Sequence, residues 1–176
     1  MKTWNVSMRT MHWLFVVLVV GAIASVWGHE AFEKGSAMRT LLMQIHFGLG
    51  GLAGLLILPR IAVRLFAAEP EYDMPPAMRR LAHTAHIGLY ALLIALPVLG
   101  YIGVSGKGLP IELPFGIPIT PLPVTEGFAK AAREVHEGLA TALLVLLGLH
   151  VAAAGFHAIV LKDGVLASMT RGRAKA

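Results

Sequence analysis

The chain has 176 residues, 56% of them hydrophobic and only 14% charged, against about 25% charged in an ordinary soluble domain. The apolar residues gather into four long uncharged runs, which argues against a soluble bundle and for an all-α integral membrane protein in contact with the lipid bilayer. There is no cysteine, so disulfides, thiolate metal sites, cysteine-ligated iron–sulfur clusters and covalent c-type haem are excluded; the net charge of +5 lies between the apolar runs, where membrane topology accounts for it without nucleic acid.

The pattern predicts one membrane domain over residues 1–176 with four spans. Residues 1–9 are a short basic lead, with Ser7 the expected cap of the first helix. The first apolar run lacks a small-residue cleavage site, so span 1, residues 10–27, reads as retained. It opens on His12 and carries Trp13 and Trp27, with Trp4 just before it, which suits the two interfaces. A polar link follows, in which His29 reads as a solvated residue. Span 2 covers 40–66, with His46 near its start and Gly48, Gly50, Gly51 and Gly54 after it. Glycine in a membrane helix serves close helix approach, or here room for a flat cofactor; the sequence leaves both readings open.

A Pro-containing loop leads to span 3, 81–104. His83 and His86 share a face near its start, and Pro97 is an expected kink. The longest link, 105–130, holds Pro110, Pro114, Pro118, Pro121 and Pro123 and is not expected to be a regular helix. Span 4 covers 136–161 and carries His136 and His150. Fourteen residues bring His150 back to within ~40° of the face of His136 and ~21 Å further along the axis.

Ten Lys and Arg residues lie at the N-terminus, in the loop between spans 2 and 3 and in the tail: Lys2, Arg9, Arg60, Arg64, Arg79, Arg80, Lys162, Arg171, Arg173 and Lys175. Five lie on the other side: Lys34, Arg39, Lys107, Lys130 and Arg133. The positive-inside rule then puts both termini in the cytoplasm. Alternating span directions place His12 and His150 at one depth near the inner face, and His46 and His136 at another near the outer face. Each pair joins two helices, as cofactor sites in four-helix bundles do. Two haems, each held by two imidazoles, fit this arrangement. Zinc fits less well, because it prefers four close ligands. Another metal, a proton relay and plain structural histidines remain open on geometry alone.

The residues also carry a family likeness. Met11-His12-Trp13-Leu14, Ile45-His46, Leu81-Ala82-His83-Thr84-Ala85-His86, Ile94-Ala95-Leu96-Pro97-Val98-Leu99-Gly100, His136-Glu137, Gly148-Leu149-His150-Val151-Ala152-Ala153-Ala154 and Lys162-Asp163 run nearly end to end. In these the chain resembles the bacterial cytochrome b561 family of four-span di-haem proteins, and within it the superoxide oxidase branch. The resemblance implies two haem b groups, with His12, His46, His136 and His150 as iron ligands. It implies the bacterial inner membrane, superoxide as donor at the periplasmic face and ubiquinone as acceptor. The wider family includes haem subunits of hydrogenases and formate dehydrogenases, so an electron-transfer subunit serving a separate redox partner is the alternative.

Further residues acquire candidate roles from this chemistry. His83, His86 and His157 are candidate contacts of haem propionates or a quinone. Arg64, Arg79 and Arg80 are candidate propionate clamps, because a guanidinium grips a carboxylate with two parallel bonds. Lys107, Lys130 and Arg133, with Arg39, are candidates for steering superoxide toward the protein. The eight methionines read as packing.

Overall fold

The computed structural model describes residues 3–68, 70, 72–106, 108, 111–113 and 117–170. Four long helices dominate it: α1 (Val6–His29), α2 (Ala37–Phe66), α3 (Pro76–Ser105) and α4 (Glu126–Phe156). All four are long and apolar enough to cross a membrane. One π-helical turn, His157–Leu161, extends α4, and a short α5 (Val165–Thr170) follows. Between α3 and α4, strands β1 (Ile111–Leu113) and β2 (Ile117–Ile119) form an antiparallel hairpin with Ile111 opposite Ile119.

Local chemistry explains where the helices begin. Asn5, not Ser7, caps α1: its Oδ1 accepts the Met8 N–H at 2.8 Å, and the helix starts four residues before the apolar run. Ser36 caps α2, and Pro76 at the first position of α3 presets the helical backbone without wasting an N–H. The expected link over 105–130 needs correction. Its last proline is Pro123, and Thr125 caps α4 by accepting the Phe128 N–H at 3.3 Å. The charged turns from Glu126 onward are helical although they lie outside the uncharged run, because hydrophobicity sets the width of a span and not the length of its helix. His29 also differs from expectation. It is the last residue of α1, half-buried, with its Nε2 at 3.2 Å from Glu30 and 3.4 Å from Arg39.

The chain runs up and down. The Trp4 N–H donates to the Ser168 carbonyl at 3.3 Å, Trp13 Nε1 donates to the Met169 carbonyl at 3.1 Å, and the Tyr72 and Ser168 hydroxyls meet at 2.6 Å. These bonds gather the N-terminus, the α2–α3 loop and α5 at one end, here called the terminal end. The strands and the α1–α2 turn mark the hairpin end. Tyr101 ties the long link to α3 by donating to the Thr120 carbonyl at 2.5 Å.

Helix α1 packs along α2, α3 along α4, and α2 against α3. The core is Phe15 and Leu18 against Ala53 and Ile57, extended by Tyr90 and Leu93 of α3. Close approach uses particular glycines. A Cβ on Gly54 would lie 2.7 Å from Pro97 Cβ, and one on Gly21 would lie 2.8 Å from Leu49 Cδ1. Gly50, by contrast, faces nothing within 4 Å. The glycines of α2 therefore do not share one purpose. Among the described residues, α4 makes no comparably close backbone approach to α1 or α2. Large apolar side chains such as Val17, Leu58, Val145 and Leu149 point outward, where lipid is their natural solvent.

Candidate functional site

The separation of α4 from α1 and α2 is bridged by two pairs of histidines. His12 of α1 faces His150 of α4 with ring centroids 6.3 Å apart. His46 of α2 faces His136 of α4 with centroids 6.2 Å apart. A metal–imidazole bond is about 2 Å and a ring nitrogen lies about 1.1 Å from its centroid, so two rings on opposite sides of one metal atom have centroids about 6.3 Å apart. Both pairs meet that condition. Among the described residues no three His, Asp or Glu side chains converge as ligands for a bare metal ion. Paired imidazoles leave four positions to be filled by another ligand, and a porphyrin supplies four nitrogens in one plane.

At the hairpin end the backbone orients both rings. His46 Nδ1 lies 2.9 Å from the Ala22 carbonyl, and His136 Nδ1 lies 2.9 Å from the Leu96 carbonyl. Each carbonyl can only accept, so Nδ1 carries the proton and Nε2 keeps its lone pair for a metal. Gly100, one turn after Leu96, makes room for the ring: a Cβ there would come within 3.2 Å of His136 Cε1.

The terminal-end pair is built differently. His12 Nδ1 faces Arg60 Nη2 at 3.1 Å, and the His86 ring stands edge-on to His150 at 5.5 Å. Arg60 was legible in the sequence only as a flanking charge. Here it lies inside α2, under the rings of Phe15 and Tyr90. The available signal was that span 2 continues as helix past Pro59, which carries Arg60 back toward the depth of His12.

The other candidates scatter. His83 is exposed. The Arg64 guanidinium lies over the Trp4 ring at 4.8 Å. Arg79 and Arg80 are exposed in the first turns of α3, Arg79 donating to the Tyr72 carbonyl at 3.5 Å. Lys130 is exposed with Glu134 at 3.9 Å. Arg133 is half-buried and donates to the Gly103 carbonyl at 3.3 Å, which ties α4 to α3. Arg39 donates to the carbonyls of His29 and Phe32. Lys107 lies outside the described residues.

His157 is buried in the π turn, and its Nδ1–H donates to Asp163 Oδ2 at 2.5 Å. Lys162 adopts the left-handed conformation that folds Asp163 back onto it. Burial pushes the Asp163 carboxyl up, but the bonds from His157 and from the Val165 N–H outweigh it and hold the group below its ordinary value. A depressed carboxylate contributes stability that is complete above its unfolded value and is lost as the pH falls through its folded value. The difference in melting temperature between the parent and Asp163→Asn should therefore be constant near neutrality and shrink below about pH 4. A difference that stays unchanged down to pH 3 would show that the bonds from His157 and the Val165 N–H to the ionised Asp163 do not stabilise the fold.

Fold and site define a class: a four-helix membrane bundle with imidazoles paired at two depths for a planar metal cofactor. A profile of the family described as "Prokaryotic cytochrome b561" matches residues 3–172. The chain belongs to that family, and it is a membrane haem protein of electron transfer that binds b-type haem. It is 32% identical over 166 residues to a protein of Yersinia pestis named "Probable superoxide oxidase CybB", covering 90% of each chain. It is 28% identical over 164 residues to "Cytochrome b561 homolog 1" of Escherichia coli (strain K12), covering 90% of this chain and 92% of that one. "Cytochrome b561 homolog 2" of the same organism is 29% identical over 184 residues.

Proposed function

We propose that the chain is a superoxide:quinone oxidoreductase of the bacterial inner membrane. The observation that carries this reading is the occurrence of two separate histidine pairs, each at the spacing of a bis-imidazole metal site, at the two ends of one bundle. His46 and His136 hold one haem b, and His12 and His150 hold the other. When bound, the haems supply one-electron carriers across the bilayer. Superoxide as donor is supported by the likeness to the Yersinia pestis protein, whose name states that activity.

Two superoxide anions each lose one electron and leave as dioxygen. One ubiquinone takes the two electrons and two protons and leaves as ubiquinol. In this reading both termini face the cytoplasm, since ten of the fifteen Lys and Arg residues fall in the N-terminal, span 2–3 and C-terminal stretches of the sequence. The hairpin end then meets superoxide in the periplasm, with Lys130 and Arg133 adding positive potential around it and Lys107, next in sequence to Gly106, a further candidate. The quinone binds toward the terminal end. In this reading His157, hydrogen-bonded to Asp163, and His86, beside His150, pass protons, and Arg64, Arg79, Arg80 and His83 are the candidates for meeting propionates.

The test is an anaerobic visible spectrum of the purified protein during enzymatic superoxide generation, with and without superoxide dismutase. Reduced b-type bands should appear quickly, and dismutase should suppress them. Haem that dithionite reduces but superoxide does not would instead assign the chain to electron transfer for a separate redox partner.

A further inference from the structure

Helix α5 has six residues, too few to be stable alone in water, and both of its ends are held by other parts of the chain. At its start, Asp163 Oδ1 accepts the Val165 N–H at 3.1 Å, while Oδ2 accepts from His157 of the π turn that extends α4. The last carbonyls of a helix have no partner within it, and two of those in α5 are taken by the opposite end of the chain. The Ser168 carbonyl accepts the Trp4 N–H at 3.3 Å, and the Met169 carbonyl accepts the Trp13 Nε1–H at 3.1 Å. The Ser168 side chain is fully buried against the Tyr72 hydroxyl. Helix α5 therefore joins the end of α4 to α1.

Those are the two helices that carry His12 and His150. Trp13 follows His12 directly, and successive side chains of a helix point about 100° apart, so a bond that fixes the direction of one fixes the other. A ring nitrogen stands roughly 6 Å from its helix axis, and a rotation of α1 by about 10° would move it by about 1 Å. That is about half a metal–imidazole bond. The Trp13 side chain is 44% exposed, so packing does little to fix it, and its directional contact is the indole N–H. At the hairpin end the same result is reached directly, by the Ala22 and Leu96 carbonyls on the ligand rings themselves.

We propose that Trp13 is a positioning residue: through the Met169 carbonyl it locks the rotation of α1, and with it the 53° angle between the rings of His12 and His150, with α5 as the clasp between the two helices. This rests on the two-haem reading above.

The test compares the parent with Trp13→Phe, which keeps an aromatic ring without the N–H, and Asp163→Ala, which removes both bonds at the start of α5. Haem content is measured first. Amide hydrogen exchange over Val165–Thr170 then reads the clasp itself. Electron paramagnetic resonance of the oxidised proteins reads the ligand geometry, because the low-spin ferric signal of a haem between two imidazoles depends on the angle between the ring planes. His136→Ala, lacking one hairpin-end ligand, identifies the signal of the terminal end. In both clasp variants exchange should rise about fivefold or more, as for the loss of one hydrogen bond. The terminal-end signal should shift or broaden while the hairpin-end signal stays in place. If Trp13→Phe holds no terminal-end haem, Asp163→Ala decides by the same criterion. Two haems with both signals unmoved, or with both moved alike, would overturn the role of Trp13. A shift in Trp13→Phe that Asp163→Ala does not share would overturn the clasp. Fewer than two haems in the parent would overturn the two-haem reading itself.

Discussion

On the two-haem reading proposed above, replacing His136 with alanine is expected to lower the haem content from two per chain to one. The ring is held by the Leu96 carbonyl and packs against Gly100, so alanine removes the imidazole that faces His46. His46 keeps its bond to Ala22 but loses the opposing ligand. The terminal-end pair uses a different helix partner at another depth, and changes at separate sites are close to independent. The remaining haem should therefore keep its spectrum. Changes to outer hydrogen-bond partners of metal ligands already cost ~10–100-fold in affinity or activity, so loss of the ligand itself should lower superoxide-driven reduction at least about tenfold. The check is the haem-to-protein ratio by pyridine haemochrome, followed by rapid mixing with superoxide. A ratio that stays at two would remove His136 from the ligand set.

The second large effect concerns packing. Gly106 ends α3, and a Cβ there would lie 2.2 Å from the Cβ of Ala129, which is 2% exposed near the start of α4. Neither atom belongs to a side chain that can rotate away, so Gly106→Ala must push one helix off the other. Overpacking of this kind costs about 1–3 kcal/mol. For a chain of this size that corresponds to a fall of about 2–12 °C in melting temperature. The displacement falls on α4 two turns before His136, so the hairpin-end haem should be lost before the terminal-end one. Thermal unfolding in detergent together with haem content measures both. An unchanged melting temperature with full haem content would show that α4 is not anchored by this contact.

Much of this was legible without coordinates. A helix that crosses a bilayer rises by a fixed amount per residue, so the position of a histidine in its span gives its depth. That alone pairs His12 with His150 and His46 with His136, and the structure brings the same rings together. The starts of helices were less legible. The turns before His136 are charged and lie outside the uncharged run, yet Thr125 starts the helix there by capping an N–H, a local hydrogen bond that hydropathy does not register.

The sequence by itself determined the number of spans, their alternating direction, the depth of each histidine and the family. It could do so because the bilayer reduces each helix to one coordinate, and that coordinate is counted in residues. Only the tertiary structure decided the rotation of each helix and its neighbours. That is why Arg60 emerges behind His12 and not as one more basic residue at a loop. It is also why Asp163 is found folded back onto His157 across a left-handed turn. Hydrogen bonds and buried charges depend on which faces meet, and which faces meet depends on side-chain packing summed over all four helices.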